Sequence, residues 1–193
     1  MNSIFTGSLI VIGCSAGGFD ALKEIIPSVP FGFSSTIVIV LHLPAKSKNR
    51  ISEIFAPNSK LEVKVAEDKE FFLPGRIYFA PSGYHLLIEA NRSFSLSLDE
   101  PVQFSRPSID VLFESAAVAL KRSVVAMVLS GANEDGALGV KRVLECGGKA
   151  IVQDPKTAQY STMPEAAYLL NSKSSHLEVM NLSAIADLLG REA

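Results

Sequence analysis

Cysteine is scarce in these 193 residues: Cys14 and Cys146 are the only two, far apart, with no CxxC spacing and no Cys/His pairing. Neither a disulfide framework nor a structural zinc site is indicated, and a reducing cytoplasm suits this usage. Charge of one sign is lacking as well. Eighteen Lys and Arg against twenty Asp and Glu leave a formal −2, without the positive field that phosphate-backbone binding needs, so no nucleic acid is expected as a partner. No apolar run reaches the ~20 residues that cross a bilayer, because Lys121 and Arg122 interrupt the longest candidate, 116–129, and no membrane insertion is expected. The run 9–14 looks like a lipoprotein cleavage box, but no basic residue precedes Lys23, so the stretch reads as mature protein. Repeats, low-complexity tracts and linkers are absent.

What is present suits one globular unit. Hydrophobic residues make up 48% and charged residues 20%, enough for a core without metals, and a chain of this length buries about 70% of its unfolded surface. One domain spanning 1–193 is expected, the loop around 44–50 being too short to separate two. The runs 9–12, 36–41, 124–129 and 150–152 are short, continuous and rich in β-branched residues, the pattern of strands buried on both faces of a parallel sheet. Helical patterns at 19–26, 108–120 and 137–146 alternate with them, the last stopped by Gly147-Gly148. Segments 76–81 and 86–98, with a turn at Asn91-Arg92, read as an antiparallel hairpin inserted at the sheet's edge. The expected class is α/β: a doubly wound, mostly parallel sheet flanked by helices, made mixed by that hairpin.

Gly13-Cys14-Ser15-Ala16-Gly17 fits G-x-S-x-G and stands after a buried strand and before a helix, where such a turn exposes a serine. Helix amides at Gly17-Gly18-Phe19 would face charge developing on a bound carbonyl. Three readings stay open for this turn: a nucleophile, a nucleotide or anion site, and a plain structural turn. The glycines fit neither G-x-G-x-x-G nor the P-loop.

A serine nucleophile needs a base, and the chain has three histidines. If 36–41 runs parallel to 9–12, His42 leaves the same carboxyl edge as Ser15, where α/β folds place ligands; the plain alternative is a hydrogen-bonded imidazole at a strand end. His85, at the start of a hairpin strand, and His176, in a Ser-rich stretch, read as surface or capping residues. Asp135 follows the buried run 124–129 in a glycine-flanked loop and is the candidate carboxylate, its plain alternative being the N-cap of the next helix. Glu134 and Asp154 are rival acids. Ser15, His42 and Asp135 each lie just past a separate buried strand, which a purely structural account must explain three times. Their order is not the Ser, acid, His order of α/β-hydrolases, which disfavours that fold.

Several collinear stretches together carry a family resemblance: Ile12 to Gly18 at the serine turn, Leu41-His42-Leu43-Pro44, Leu73 to Pro81, Arg106-Pro107-Ser108-Ile109-Asp110-Val111-Leu112-Phe113, Leu129-Ser130-Gly131 through Asp135-Gly136, Gln153-Asp154-Pro155, and Met163-Pro164. Over about 9–170 the chain resembles the catalytic domain of CheB, the chemotaxis protein-glutamate methylesterase. The resemblance implies Ser15 as nucleophile, His42 as general base and acid, and Asp135 as the carboxylate orienting the imidazole. It further implies hydrolysis of γ-glutamyl methyl esters on the cytoplasmic domain of a methylated chemoreceptor and, in many members, glutamine deamidation, through an acyl-enzyme and without metal or organic cofactor.

Backbone amides of Ala16 and Ala132 become oxyanion donors in that scheme, and Arg106 either attracts an acidic receptor surface or is a solvated helix-start residue. Departures are Ala16 where Thr is frequent, Leu41 where Gln often precedes the histidine, and Gly131-Ala132-Asn133 where many members have Gly-Met-Gly. Many members carry a receiver domain that the eight residues before Leu9 do not hold, so constitutive activity, a separate regulatory protein, or a substrate other than a standard chemoreceptor is expected. Three further readings are a non-catalytic receptor- or partner-binding module on the same fold, a phosphate-binding domain, and Cys14 as a thiol nucleophile.

Overall fold

The computed structural model describes residues 5, 7–43 and 50–191; residues 44–49, including Pro44 of the histidine stretch, lie outside it. Seven strands form one sheet: β1 (Leu9–Cys14), β2 (Thr36–Leu41), β3 (Glu62–Val65), β4 (Arg76–Phe79), β7 (Val124–Val128), β8 (Lys149–Gln153) and β9 (Leu177–Met180). Their order is β3-β4-β2-β1-β7-β8-β9, and every pairing is parallel. The central strands β1, β2 and β7 are buried along their whole length, as their unbroken apolar runs require.

Side chains alternate between the two faces and feed two cores. Ile10, Ile12, Ile37, Ile39 and Met127 meet Leu22 and Ile25 of α1 (Gly18–Ile25), Phe55 of α2 (Ile51–Phe55), and Ile185 and Leu189 of α6 (Leu182–Gly190). Leu9, Val11, Val38, Val40 and Val128 meet Leu112 and Phe113 of α3 (Ile109–Leu120), Val140 of α4 (Ala137–Glu145) and Ala167 of α5 (Thr162–Asn171). Helices on both faces of a parallel sheet are the doubly wound arrangement. None of the helices among the described residues is long and apolar enough to cross a membrane.

The antiparallel hairpin exists around the expected turn at Asn91-Arg92, but apart from the large sheet rather than inserted at its edge. Arg76–Phe79 is not its first arm: as β4 it lies inside the parallel sheet, with Ile77 opposite Ile37. The hairpin consists of β5 (His85–Ile88) and β6 (Phe94–Ser97), forms a sheet of its own, and buries Leu86, Ile88 and Phe94 in the core under α3. The large sheet is therefore wholly parallel rather than mixed. Strands β3 and β9 escape sequence reading because they are four residues long, half exposed, and carry charges at Glu62, Lys64 and Glu178.

Helices α3 and α4 approach closely at Gly139. A Cβ built there would stand 2.6 Å from Phe113 Cβ and 3.1 Å from Asp110 Cα. Gly→Ala inside a helix ordinarily stabilises by up to ~1 kcal/mol. Here Gly139→Ala is expected to destabilise by about 1–3 kcal/mol, as overpacking does, read as a lower urea midpoint at unchanged m-value.

Candidate active site

The parallel register of the three central strands brings their carboxyl ends together. Cys14 lies opposite Leu41, and Gly13 opposite Val128. Past these ends the backbone continues to interlock: His42 N–H donates to Cys14 O (3.0 Å), Leu129 N–H to Gly13 O (3.0 Å) and Ser15 N–H to Ser130 O (3.0 Å). Ser15 thus stands between the segment carrying His42 and the loop leading to Asp135. Its carbonyl accepts Gly18 N–H (2.9 Å), closing the turn into α1. Gly17 sits in the left-handed region at φ 74°, and a Cβ there would meet Ser130 Oγ at 2.6 Å, so this turn takes glycine for both reasons.

Asp135 is fully buried, and three donors together with the His42 ring converge on its carboxylate. Oδ1 accepts Ser108 Oγ–H (2.9 Å) and Asp110 N–H (2.9 Å); Oδ2 accepts Ile109 N–H (2.7 Å) and lies 3.0 Å from His42 Nε2. The three donors form the start of α3, whose first-turn amides and dipole favour an anion. The His42 ring is turned so that its N–H direction misses a straight hydrogen bond to Oδ2, a looseness common before substrate closes a site. Burial pushes Asp135 toward a higher pKa, but the His42 contact and the Asp110 and Ile109 amides outweigh it and hold the carboxyl below its usual range.

The plain alternative for Asp135, capping α4, gives way to a crossed arrangement. Gly136 is the α4 N-cap residue, and the carboxylate that serves this helix is Asp110: its Oδ1 accepts Gly136 N–H (2.9 Å) and Gly139 N–H (2.7 Å). Asp135, from the loop before α4, serves α3; Asp110, from α3, serves α4. Gln103 Nε2 donates to the remaining Asp110 oxygen (3.0 Å).

Desolvation raises Asp110 from 3.8 to about 6, the Asp135 charge adding to the rise and the Gly139 and Gly136 amides opposing it. A carboxyl raised on folding holds its proton more tightly in the folded than in the unfolded chain, so its contribution to stability falls as pH rises from about 4 to about 6. Asp110→Asn keeps an acceptor for both glycine amides, and its new NH₂ can face a flipped Gln103. The variant is expected to match wild type near pH 4 and to exceed it at pH 7 by at most ~3 kcal/mol, measured as thermal midpoints at the two pH values.

The other predicted residues are placed as follows. Among the described residues no acceptor meets the Ala16 or Ala132 N–H, and Ala132 is exposed. Arg106 Nη1 donates to Leu98 O (2.9 Å) and Asp99 O (3.0 Å) at the end of β6; with His42, Leu43, Phe104, Ser105 and Pro107 it lines an open cleft of about 180 Å³. Glu134 is exposed, and Asp154 closes a turn after β8 by accepting Lys156 N–H (3.0 Å). His176 is exposed. His85 is not a surface residue: it is 1% exposed, its Nδ1 accepts Ser108 N–H (3.2 Å), and its Nε2 therefore carries the proton that faces Glu100 O (3.1 Å). Cys14 is fully buried, and desolvation pushes its thiol far up, which removes it as a nucleophile. Among the described residues no group of three His, Cys, Asp or Glu is arranged to hold a metal ion. A wider depression of about 590 Å³ beside α4 and α5 is lined by Lys141, Glu145, Leu169 and neighbours, away from this edge.

Sequence reasoning missed the supports. Ser130 Oγ donates to Ala16 O (2.8 Å) and accepts Tyr160 N–H (2.9 Å), while its own N–H reaches Gln153 Oε1 (2.9 Å), tying the serine turn to β8. A signal existed for Ser130 and Gln153: both are polar residues that directly follow the apolar buried runs 124–129 and 150–152. Ser108 and Asp110 read as an ordinary N-cap and first-turn acid, which hides their role toward Asp135.

The model of the family described as CheB methylesterase matches residues 10–189. A relative from Leptospira interrogans, provisionally named a protein-glutamate methylesterase/protein-glutamine glutaminase, is 46% identical over 94% of this chain and 93% of its own length. One from Carboxydothermus hydrogenoformans, named protein-glutamate methylesterase/protein-glutamine glutaminase 1, is 39% identical over 93% of this chain and 53% of its own length. The crystal structure of the Thermotoga maritima CheB methylesterase catalytic domain superposes with a TM-score of 0.89 at 31% identity, covering 97% of this chain and 100% of that one. With a match across nearly its full length in sequence and in fold, the chain belongs to the CheB methylesterase family.

Proposed function

We propose that the chain, as one catalytic domain, is a protein-glutamate methylesterase that works through Ser15, His42 and Asp135. The observation that carries this reading is the 3.0 Å approach of His42 Nε2 to Asp135 Oδ2 at the sheet edge where Ser15 follows β1. With Nε2 turned to the carboxylate, Nδ1 is the nitrogen left to serve Ser15. It takes the hydroxyl proton as Oγ bonds to the ester carbon, and the Ala16 and Ala132 amides hold the developing oxyanion. The same proton passes to the departing methoxide, releasing methanol and leaving a Ser15 ester. Water then attacks that ester with His42 again as base, freeing a glutamate carboxylate and restoring the serine. A glutamine side chain follows the same path with ammonia as the leaving group.

The substrate in this reading is a methylated chemoreceptor cytoplasmic domain, and the setting is cytoplasmic. Names of relatives and the family match support the reaction. The test is methanol release from a methylated chemoreceptor cytoplasmic fragment, run beside labelling with a serine-directed phosphonate. Release together with one label per chain, located on Ser15 by mass spectrometry, is the expected result. An unlabelled Ser15 with no methanol released would leave the non-catalytic binding module as the better account.

A further inference from the structure

Resting on the esterase reading of the site, we propose that Phe104 is a substrate-docking anchor that engages an apolar spot beside a methyl-esterified glutamate on an acidic protein surface. Phe104 is fully exposed, and it lines the same cleft as His42. It stands at the tip of a two-residue turn closed by Val102 N–H to Ser105 O (3.2 Å) and Ser105 N–H to Val102 O (2.9 Å). Both central residues are left-handed, Gln103 at φ 47° and Phe104 at φ 62°. Such a turn favours Asn-Gly, and a bulky aromatic there is an outlier that needs a reason.

The turn is also held on three sides. Its own cross-bonds close it, Gln103 is tied to Asp110, and Arg106 Nη1 is pinned on Leu98 O and Asp99 O. A rigid mount presenting an unpaired aromatic ring to solvent is the arrangement of a binding hot spot, because little ordering is lost when the ring is covered. Arg106 sets the chemistry of the partner. Among the described residues no carboxylate lies within 4 Å of its guanidinium, so the rim carries a positive charge without a fixed counter-ion two residues from the ring. A protein surface offering one apolar contact and carboxylates around the ester complements both features. At about 180 Å³ the cleft is smaller than the roughly 300–1,000 Å³ of ordinary small-molecule pockets, which suits a side-chain ester carried on a protein surface.

The test compares two esters. Phe104→Asn removes the ring while keeping a residue that tolerates the left-handed turn, and Phe104→Trp keeps an aromatic. With the methylated chemoreceptor fragment, kcat/KM is expected to fall about tenfold or more in Phe104→Asn, mainly through KM, and to stay within about threefold of wild type in Phe104→Trp. With N-acetylglutamate γ-methyl ester, which has no surface to cover the ring, all three proteins are expected to agree within about twofold. An unchanged rate of Phe104→Asn on the fragment, or an equal loss on both esters, overturns the docking role. Wild-type hydrolysis of the small ester with none of the fragment overturns it too, and leaves the esterase reading standing; hydrolysis of neither ester removes the esterase reading and the docking role together.

Discussion

Ser15→Ala is expected to lower the turnover of methyl-ester hydrolysis by roughly 10⁴–10⁶-fold while leaving the thermal midpoint within about 2 °C of wild type. The two halves of this expectation have separate grounds. In the proposed mechanism catalysis requires Oγ, since the acyl-enzyme would form on it and the backbone amides offer no replacement nucleophile. Stability does not require it. Among the described residues Ser15 Oγ has no hydrogen-bond partner, whereas its N–H and C=O are both engaged, with Ser130 O and Gly18 N–H. Deleting the hydroxyl therefore orphans no buried group, and a half-buried position with intact backbone bonds falls among substitutions worth ±0.5 kcal/mol. Methanol release by Ser15→Ala within tenfold of wild type would remove the nucleophile assignment.

How far the sequence could be read follows from where its information is local. The central strands β1, β2 and β7 announced themselves because a strand buried on both faces must be apolar at every position, and 9–12, 36–41 and 124–129 are. The placing of Ser15 and His42 past the same sheet edge followed from the assumption that their strands run parallel, and the Cys14–Leu41 register is parallel. What stayed hidden depends on which segments lie side by side. Arg76–Phe79 has the same short apolar look whether it begins a hairpin or joins a parallel sheet, and only its partner β2 decides. His85 carries a polar ring that composition assigns to the surface, yet two backbone partners, Ser108 N–H and Glu100 O, satisfy both nitrogens and allow burial. The exchange of carboxylates between α3 and α4 is likewise invisible in sequence, because Asp110 and Asp135 lie 25 positions apart and each resembles a routine helix-start acid.

Asp135→Asn is the substitution in which that exchange has its largest consequence, since it should damage activity and stability together. The carboxylate offers two acceptor oxygens to three donors and to the His42 ring 3.0 Å away. A carboxamide offers one oxygen and an NH₂ that only donates, so one side of the group must lose its acceptor. If the NH₂ faces Ser108 and Asp110, the hydroxyl can rotate and accept, but the Asp110 N–H is left buried and opposed. If it faces Ile109 and His42, the Ile109 N–H is opposed, and His42 must turn an unprotonated Nε2 toward it. That second arrangement puts the imidazole proton on Nδ1, the nitrogen that in the proposed mechanism receives the proton of Ser15. Either orientation leaves a buried amide unsatisfied, at about 1–3 kcal/mol, and removes the anion that stabilises both the imidazolium and the start of α3. The expected outcome is a fall in kcat of roughly 10⁴-fold with a loss of about 2–4 kcal/mol in unfolding free energy near pH 7. The pH dependence supplies the sign. Because the Asp135 pKa is lowered on folding, its contribution is full above the ordinary carboxylate value of 3.8 and is lost as pH falls through the folded value. The stability gap between wild type and Asp135→Asn should accordingly be widest near neutrality and shrink below about pH 4, which urea melts at pH 7 and pH 3.5 would register; a gap that widens on acidification would contradict an ionised, helix-bound carboxylate at this position.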